Sequence, residues 1–467
     1  MVKQPNLENE TQSLEYETVL RELKKELTPR GLKYHIESYG CQMNAHDSEK
    51  IAGLLTEMGF SAAENKEGAD LLLFNTCCVR EHAEKRVFGN IGALKKKKEA
   101  NPGLMIGVCG CMMQQADVAP RLMRRFPFVN FVIGTNNLHE LPLIMQRVLQ
   151  GERPVGVSAQ DKAPIVEGLP ALRAPGVSAS VNIMYGCDNY CSYCIVPYVR
   201  GRERSREKTA ILDEVRELAQ NGYSEITLLG QNVNSYCGGG AAFANLLRYV
   251  NDIDGIKRIR FMTSHPKDLS DELIEALGEL PAVCCHLHLP VQSGSDAILT
   301  QMNRRYTRSH YLNLVEKLRA KKPELELTTD IIVGFPGETE QDFEDTLLLM
   351  KQVGFSAAFT FMYSPRTGTK AASLPGQIDE KTKKDRLLRL NALQEEQTRQ
   401  TNQKYIGKVE EVLVEGSDNR RDTPMIYGRL SCFKMVYFPG NPDKIGQYLP
   451  VRILEAHANT LLGEMAT

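Results

Sequence analysis

The sequence predicts an α/β protein with an N-terminal doubly wound parallel sheet over residues 32–150, a central partial (β/α)6 barrel over 179–400 and a small C-terminal β-barrel over 401–467. Three observations carry that reading. From Lys33 to about residue 400, short apolar runs alternate with amphipathic helical stretches, the pattern of parallel strands joined by covering helices. After that only short strand-like runs remain, separated by Gly and Pro. Residues 151–178, rich in Pro, Gly, Ala and Ser, divide the first part from the second as a linker or a strap across a surface. At 467 residues and 52.3 kDa the chain has room for about three ordinary domains.

Residues 1–31 precede the first sheet, with Leu14, Val19, Leu20, Leu23 and Leu27 at helical spacing up to Pro29 and Gly31. This extension carries no chemical motif. The sheet takes YHIES, DLLLFNT, LMIGV and VNFVIG as strands, with helices expected over 47–58 and 81–97. Such sheets hold ligands beyond the carboxyl ends of their strands, and Cys41, Cys77 and Cys111 each fall just past a different one. Three thiols are therefore expected to converge on one edge. The barrel strands are VNIMYG, EITLLG, KRIRFMTS, CCHLHLPV, LTTDIIVGF and FSAAFTFMY, with a helix after each of the first five and the chemistry at the carboxyl mouth. A basic helix over 379–405 leads into KVEEVLVEG, MIYGRLSCFKMVYF and YLPVRILEA, the strands of a small barrel of a kind that often binds oligonucleotides.

Composition narrows the class. Apolar residues are 42% and charged residues 25%, a globular balance that excludes a disordered, collagen-like or coiled-coil chain. The formal charge is -1, and the eight basic and eight acidic residues from position 400 onward also balance, so affinity for a polyanion has to come from local patches. The apolar runs are too short to cross a bilayer and the polar start MVKQPNLENETQ lacks a signal peptide's hydrophobic region, so a cytoplasmic protein without a membrane partner is expected. Its twelve cysteines should then stay reduced, and clustered reduced thiols point to metal or catalysis.

The decisive motif is GCDNYCSYC, with Cys187, Cys191 and Cys194 directly after the first barrel strand. A structural zinc site takes four protein ligands, commonly with His, whereas this loop offers three thiols and no nearby His. Three thiolates on a cubane iron–sulfur cluster leave one iron open. That iron can chelate the amino and carboxylate groups of S-adenosylmethionine, whose sulfonium a low-potential electron then cleaves to a 5′-deoxyadenosyl radical.

This C-x-x-x-C-x-x-C loop opening a six-stranded barrel resembles the radical S-adenosylmethionine superfamily. The continuation CSYCIVPYVRGRERSR, with TLLGQNVNSY, HLPVQSGSDAIL, DIIVGFPGET, YSPRTGT, YGCQMNAHDSE and NTCCVREHAEKRVF, is similar to the methylthiotransferases, above all the MiaB family acting on tRNA. The resemblance runs from about residue 33 to the end. It implies a second [4Fe-4S] cluster on Cys41, Cys77 and Cys111, a terminal TRAM domain, and S-adenosylmethionine used both as methyl donor and as radical source. Cys78 and Cys109, beside two of those ligands, read as ordinary buried thiols. The implied reaction replaces the C2 hydrogen of N6-isopentenyladenosine, next to the anticodon in a tRNA anticodon arm, by a methylthio group. Sister families imply the same chemistry on threonylcarbamoyl-adenosine tRNA or on a ribosomal-protein aspartate. A non-enzymatic iron–sulfur RNA-binding protein is the reading from another class. An electron-donor protein and a monomeric state are further expectations.

Strand-end position at the mouth nominates Gln231, Asn232, Ser264, Gln292, Ser293 and Gly334 as cofactor contacts, and Tyr193, within the cysteine loop, is expected to pack at the adenine. For RNA, Arg200, Arg202, Arg204 and Arg206 alternate after the cysteine loop and, in extended chain, would project on one side toward phosphates. The helix with Lys381, Lys383, Lys384, Arg386 and Arg389 is either a second RNA face or a solvated one.

Overall fold

The computed structural model describes residues 10–78, 81–157, 165–173, 175–418 and 424–466. The chain divides into two compact units, one of Met1–Ala174 with Tyr185–Asp188 and Ile195–Arg204, the other of Pro175–Met184, Asn189–Cys194 and Ser205–Thr467.

In the first unit, β1 (Lys33–Ser38), β2 (Ser61–Ala62), β3 (Leu71–Thr76), β4 (Met105–Gly110), β5 (Phe131–Ile133) and β6 (Val155–Gly156) form one sheet in the order β2-β1-β3-β4-β5-β6. Every pair is parallel. The central strands β3 and β4 are buried throughout and largely apolar because both faces are covered. Leu71, Leu73, Met105 and Cys109 enter one core, while Leu72, Phe74, Ile106 and Val108 enter the other. The N-terminal extension forms a helix, Glu10–Leu27, whose Tyr16, Val19, Leu23 and Leu27 join the first of these cores. Leu14 departs from that expected stripe and stands exposed. The helix expected over 81–97 breaks into Glu81–Ala93 and Lys95–Ala100, and Lys98 folds back onto the carbonyls of Pro102 and Leu104.

The second unit carries β7 (Ser178–Asn182), β8 (Glu225–Leu229), β9 (Arg258–Phe261), β10 (His286–His288), β11 (Glu326–Val333) and β12 (Ala357–Met362). They form two parallel sheets, β9-β8-β7 and β10-β11-β12. A bridge between Ile259 and Val283 joins them, with Ile259 N–H donating to Ala282 at 2.7 Å and Cys284 N–H to Ile259 at 3.0 Å. This is the six-stranded partial barrel expected. Helices Lys208–Gln220, Phe243–Asn251, Asp271–Glu279, Arg308–Lys321 and Glu340–Val353 cover it, and Ile211, Leu212, Val215 and Leu218 face the core as their spacing requires. The CCHLHLPV strand shortens to three residues, leaving Cys284 and Cys285 in the segment before it.

Five strands, β13 (Val409–Asp418), β14 (Met425–Arg429), β15 (Met435–Pro439), β16 (Tyr448–Ala456) and β17 (Thr460–Met465), close a barrel in the order β13-β14-β15-β17-β16. Val412, Val414, Ile426, Val436, Phe438, Val451, Ile453 and Leu461 fill it. It docks on the amino-terminal ends of the larger barrel's strands through two buried arginines. Arg258 donates to the carbonyls of Arg429 and Glu411, and Arg260 to those of Leu430 and Ser431 while pairing with buried Glu225 at 3.0 Å. Removing one partner of a buried ion pair strands the other charge, so Arg260→Ala should lose about 3–5 kcal/mol of stability. A shift of the urea midpoint measures it, and an unchanged midpoint would show that the pair contributes nothing.

Candidate functional site

The first cysteine trio is built at the carboxyl edge of the N-terminal sheet. Cys41 caps the helix Gln42–Glu57 that follows β1, Cys77 follows β3, and Cys111 opens a short 3-10 turn after β4. Asn44, one helical turn beyond Cys41, links them. Its Nδ2 donates to the carbonyls of Tyr39 and Thr76 at 2.9 and 2.8 Å, which turns Oδ1 toward Cys111 Sγ at 3.5 Å and Cys41 Sγ at 3.9 Å. Gly40 closes the ring. A Cβ there would lie 2.7 Å from Cys77 Sγ, and its φ of +114° suits glycine.

Arg200 and Cys78 complete the surroundings of Cys111. The guanidinium donates from Nε to Cys111 Sγ at 3.2 Å and from Nη2 to Asn44 Oδ1 at 3.0 Å and Asp47 Oδ2 at 2.9 Å. A hydrogen bond from Cys78, with this cation beside it, holds the Cys111 thiol well below the ordinary thiol range. Cys78 packs beside Cys111 with Ile195 and Val199. Cys109 lies fully buried in the core on one face of the sheet, where burial pushes its thiol up. Among the described residues, no three His, Cys, Asp or Glu side chains close on one point tightly enough for a single ion. A cubane, which takes its thiolates at separate corners, suits a ring of this kind.

The second trio is divided, with Cys187 in the first unit and Cys191 and Cys194 in the second. Cys187 N–H donates to Gly201 at 3.2 Å, and Asp188 next to it takes a bidentate bond from Arg202. In the second unit, Asn303 Nδ2 donates to the carbonyls of Asn189 and Tyr190, Lys267 to Asn189 Oδ1, and Ser192 is held through Met302, Gln301 and Ala371. Buried Arg304 donates to Cys191 Sγ at 3.5 Å, to Pro290 O at 2.6 Å and to Tyr306 Oη at 3.0 Å. Each trio therefore has one buried arginine on one of its sulfurs.

The nominated mouth residues separate into two groups. Gln231 is half-buried just beyond β8; Asn232 is buried and donates to Asp268 at 2.7 Å, with its Oδ1 left unpartnered. Ser264 Oγ, past β9, is buried and unpartnered as well. Gln292 is buried with a left-handed φ of +73°, held by Gln292 N–H to Asp330 and Ile332 N–H to Gln292. Tyr193, Ser293 and Gly334 make contacts within the protein. Tyr193 packs on the cluster of Ile298, Met302 and Phe335. The Ser293 hydroxyl meets Thr346 and the N–H of Ser295. Gly334 gives its N–H to Glu338 and leaves room for Lys383, which a Cβ would approach to 2.4 Å.

His265 and Asn182 carry no motif but belong with the first group. His265 Nδ1 accepts the N–H of Lys267 at 3.1 Å, which places the ring proton on Nε2, buried and unpartnered. Burial, with Arg304 and Lys267 nearby, pushes its pKa far down, so the imidazole is neutral. Both side-chain polar atoms of Asn182, at the end of β7, are buried without partners. Four strand-end residues with unsatisfied buried polar atoms fit a polar ligand, because such groups are nearly always paired.

The arginine row differs from expectation. Arg200 ends a short helix over residues 196–200 and Arg204 lies in the two-residue strand Arg204–Ser205, and the four side chains do not form one open face. Arg200 is buried on Cys111, and Arg206 is buried on Asn182 O at 2.6 Å and Glu214 at 2.8 Å. Arg202 is exposed but paired with Asp188, and Arg204 is half-buried against Asn136 and the Arg200 carbonyl. In the basic helix, Glu380–Gln403, Lys383 and Arg386 are buried and Arg389 pairs with Glu340 and Glu344. Lys381 and Lys384 of the same helix are exposed. A small pocket opens beside Asp47, lined by Lys50, Thr135, Asn136, His139 and Arg204. Thr135 Oγ1 and Asn136 Nδ2 are buried and unpartnered.

Comparison with known proteins agrees with this architecture. The radical SAM superfamily model matches residues 181–350, the TRAM domain model residues 403–466, and that of the uncharacterized protein family UPF0004 residues 33–134. The chain is 54% identical over 435 residues, 92% of each chain, to the tRNA-2-methylthio-N(6)-dimethylallyladenosine synthase of Caldicellulosiruptor saccharolyticus. It is 50% identical over 452 residues, 96% of each chain, to the enzyme of that name from a Thermoanaerobacter species. Among solved structures, the radical S-adenosylmethionine methyltransferase TsrM from Kitasatospora setae shares the fold at a TM-score of 0.51 and 15% identity, over 73% of this chain and 77% of that one. With three domains in order and half of its residues shared with them along nearly the whole length, the chain belongs to the family of tRNA-2-methylthio-N(6)-dimethylallyladenosine synthases.

Proposed function

We infer that the chain is a radical S-adenosylmethionine enzyme that converts N6-isopentenyladenosine in tRNA, at the base next to the anticodon, to its 2-methylthio derivative. The observation that carries this is the pair of cysteine trios in one chain, each with a buried arginine on one sulfur. Cys187, Cys191 and Cys194 would hold one [4Fe-4S] cluster and Cys41, Cys77 and Cys111 the other. When bound, these clusters supply the electron for reductive cleavage of S-adenosylmethionine and an open iron at which sulfur can be held.

The residues of the chain prepare both sites. Arg304 and Arg200 offset thiolate charge in a setting of low dielectric, where uncompensated charge is costly. Asn182, Gln231, Asn232, Ser264, His265 and Gln292 line the strand ends that would receive the polar parts of S-adenosylmethionine. Loss of a hydrogen bond to a charged group costs about 1.5–3 kcal/mol, so His265→Ala should weaken S-adenosylmethionine binding by about tenfold or more. Equilibrium dialysis under anaerobic conditions measures this, and unchanged affinity would remove His265 from the site.

The cavity with Lys50 and Arg204 supports an RNA phosphate contact on the first unit. The domain boundaries at residues 32, 151, 179 and 401, a monomeric state, a cytoplasmic location and a separate electron-donor protein belong to the same proposal. No helix among the described residues is long and apolar enough to cross a membrane. Mass spectrometry of nucleosides from isopentenylated tRNA, incubated with the reconstituted protein, dithionite and S-adenosylmethionine, tests the activity. The 2-methylthio nucleoside is expected; isopentenyladenosine left unchanged, with both clusters present, would contradict it.

A further inference from the structure

We propose that Arg200 is a positioning residue that ties the loop of one cysteine trio to a sulfur of the other and raises the reduction potential of the cluster held by Cys41, Cys77 and Cys111. The proposal rests on the two-cluster reading above.

Three observations lead to it. Arg200 lies six residues after Cys194 at the end of the helix Val196–Arg200, so the chain leaving one trio delivers its guanidinium to the other. The residue after it, Gly201, accepts the N–H of Cys187 at 3.2 Å. Cys187, a ligand of the second trio, and Arg200, the arginine on the first, are thus joined by one backbone hydrogen bond and one peptide unit. Finally, the guanidinium is fixed from two sides. Asp47 and Asn44 take Nη2, which leaves Nε–H directed at Cys111 Sγ at 3.2 Å.

An anchor for a short helix needs none of this. Ile195 and Val199 already pack the helix against Cys78 and Cys111, and burying a guanidinium costs several kcal/mol unless its partners compensate. Asp47 supplies one anion, and the sulfur of Cys111 is the second partner. Hydrogen bonds to cluster sulfurs, and a cation beside them, favour the more negative reduced state and so raise the potential. Arg200 also leaves the paired Asp47 uncompensated when it is removed, which adds negative charge near the cluster. Both effects have the same sign.

The test is an EPR-monitored redox titration of the anaerobically reconstituted full-length chain, repeated with Cys187, Cys191 and Cys194 changed to Ala to assign the signal. Arg200→Gln is expected to lower the midpoint by at least a tenfold change in the one-electron equilibrium constant, about 59 mV. Arg200→Lys keeps the charge but cannot reach Asn44, Asp47 and Cys111 together, so it should recover only part of that shift. An unchanged midpoint in Arg200→Gln with full iron and sulfide would overturn the proposal. If Arg200→Gln loses the cluster, Arg200→Lys decides: a lowered midpoint supports tuning, and a wild-type midpoint reduces Arg200 to a structural anchor. Failure of the wild-type chain to hold two clusters would instead defeat the underlying functional reading.

Discussion

Changing Cys187, Cys191 and Cys194 together to Ala is expected to reduce 5′-deoxyadenosine formation from S-adenosylmethionine under dithionite by at least about 10³-fold, a barrier increase of about 4 kcal/mol. The reason lies in the loop. Its backbone is held by Asn303, Met302 and Ala371 from the second unit and by Gly201 from the first, so the substitutions remove three sulfurs from a frame that persists. Circular dichroism should show the fold retained. Chromatographic quantitation of 5′-deoxyadenosine checks the rate, and production near the wild-type level would mean that the thiols do not hold the cluster that cleaves the sulfonium.

Changing Cys41, Cys77 and Cys111 to Ala has the complementary expectation. Reductive cleavage should persist, while methylthiolated tRNA falls below detection. These three sulfurs sit at the edge of a separate sheet around Asn44, and the strand-end polar residues that would receive S-adenosylmethionine, from Asn182 to Gln292, all belong to the other unit. Methylthiolated product from this variant, measured by nucleoside mass spectrometry, would contradict a sulfur-holding role. The pair of variants divides the chemistry into radical generation and sulfur insertion.

How much of this was legible in the sequence depends on distance along the chain. The strand-end cysteines were legible because a short apolar run defines its own carboxyl end, and a doubly wound sheet brings such ends together. The mouth residues were legible only as positions. Whether Ser293 faces a ligand or caps a turn depends on Thr346, fifty-three residues later. The arginines were legible as an alternating row but not as buried groups, because the partners that take them inward, Asp47 and Cys111 for Arg200 and Glu214 for Arg206, are supplied by tertiary structure. Asn44 carried a readable signal, one helical turn after Cys41. His265, Arg304 and the docking arginines Arg258 and Arg260 carried none, since their partners are supplied by tertiary structure.

The most direct measurement is the iron, sulfide and zinc content of the anaerobically reconstituted chain, compared with each of the two triple-cysteine variants. Two cubanes predict about eight irons and eight sulfides per chain in the wild type and about four of each in either variant. About four irons in the wild type that survive the loss of one trio, or zinc in place of iron, would contradict the paired clusters on which the proposed reaction depends.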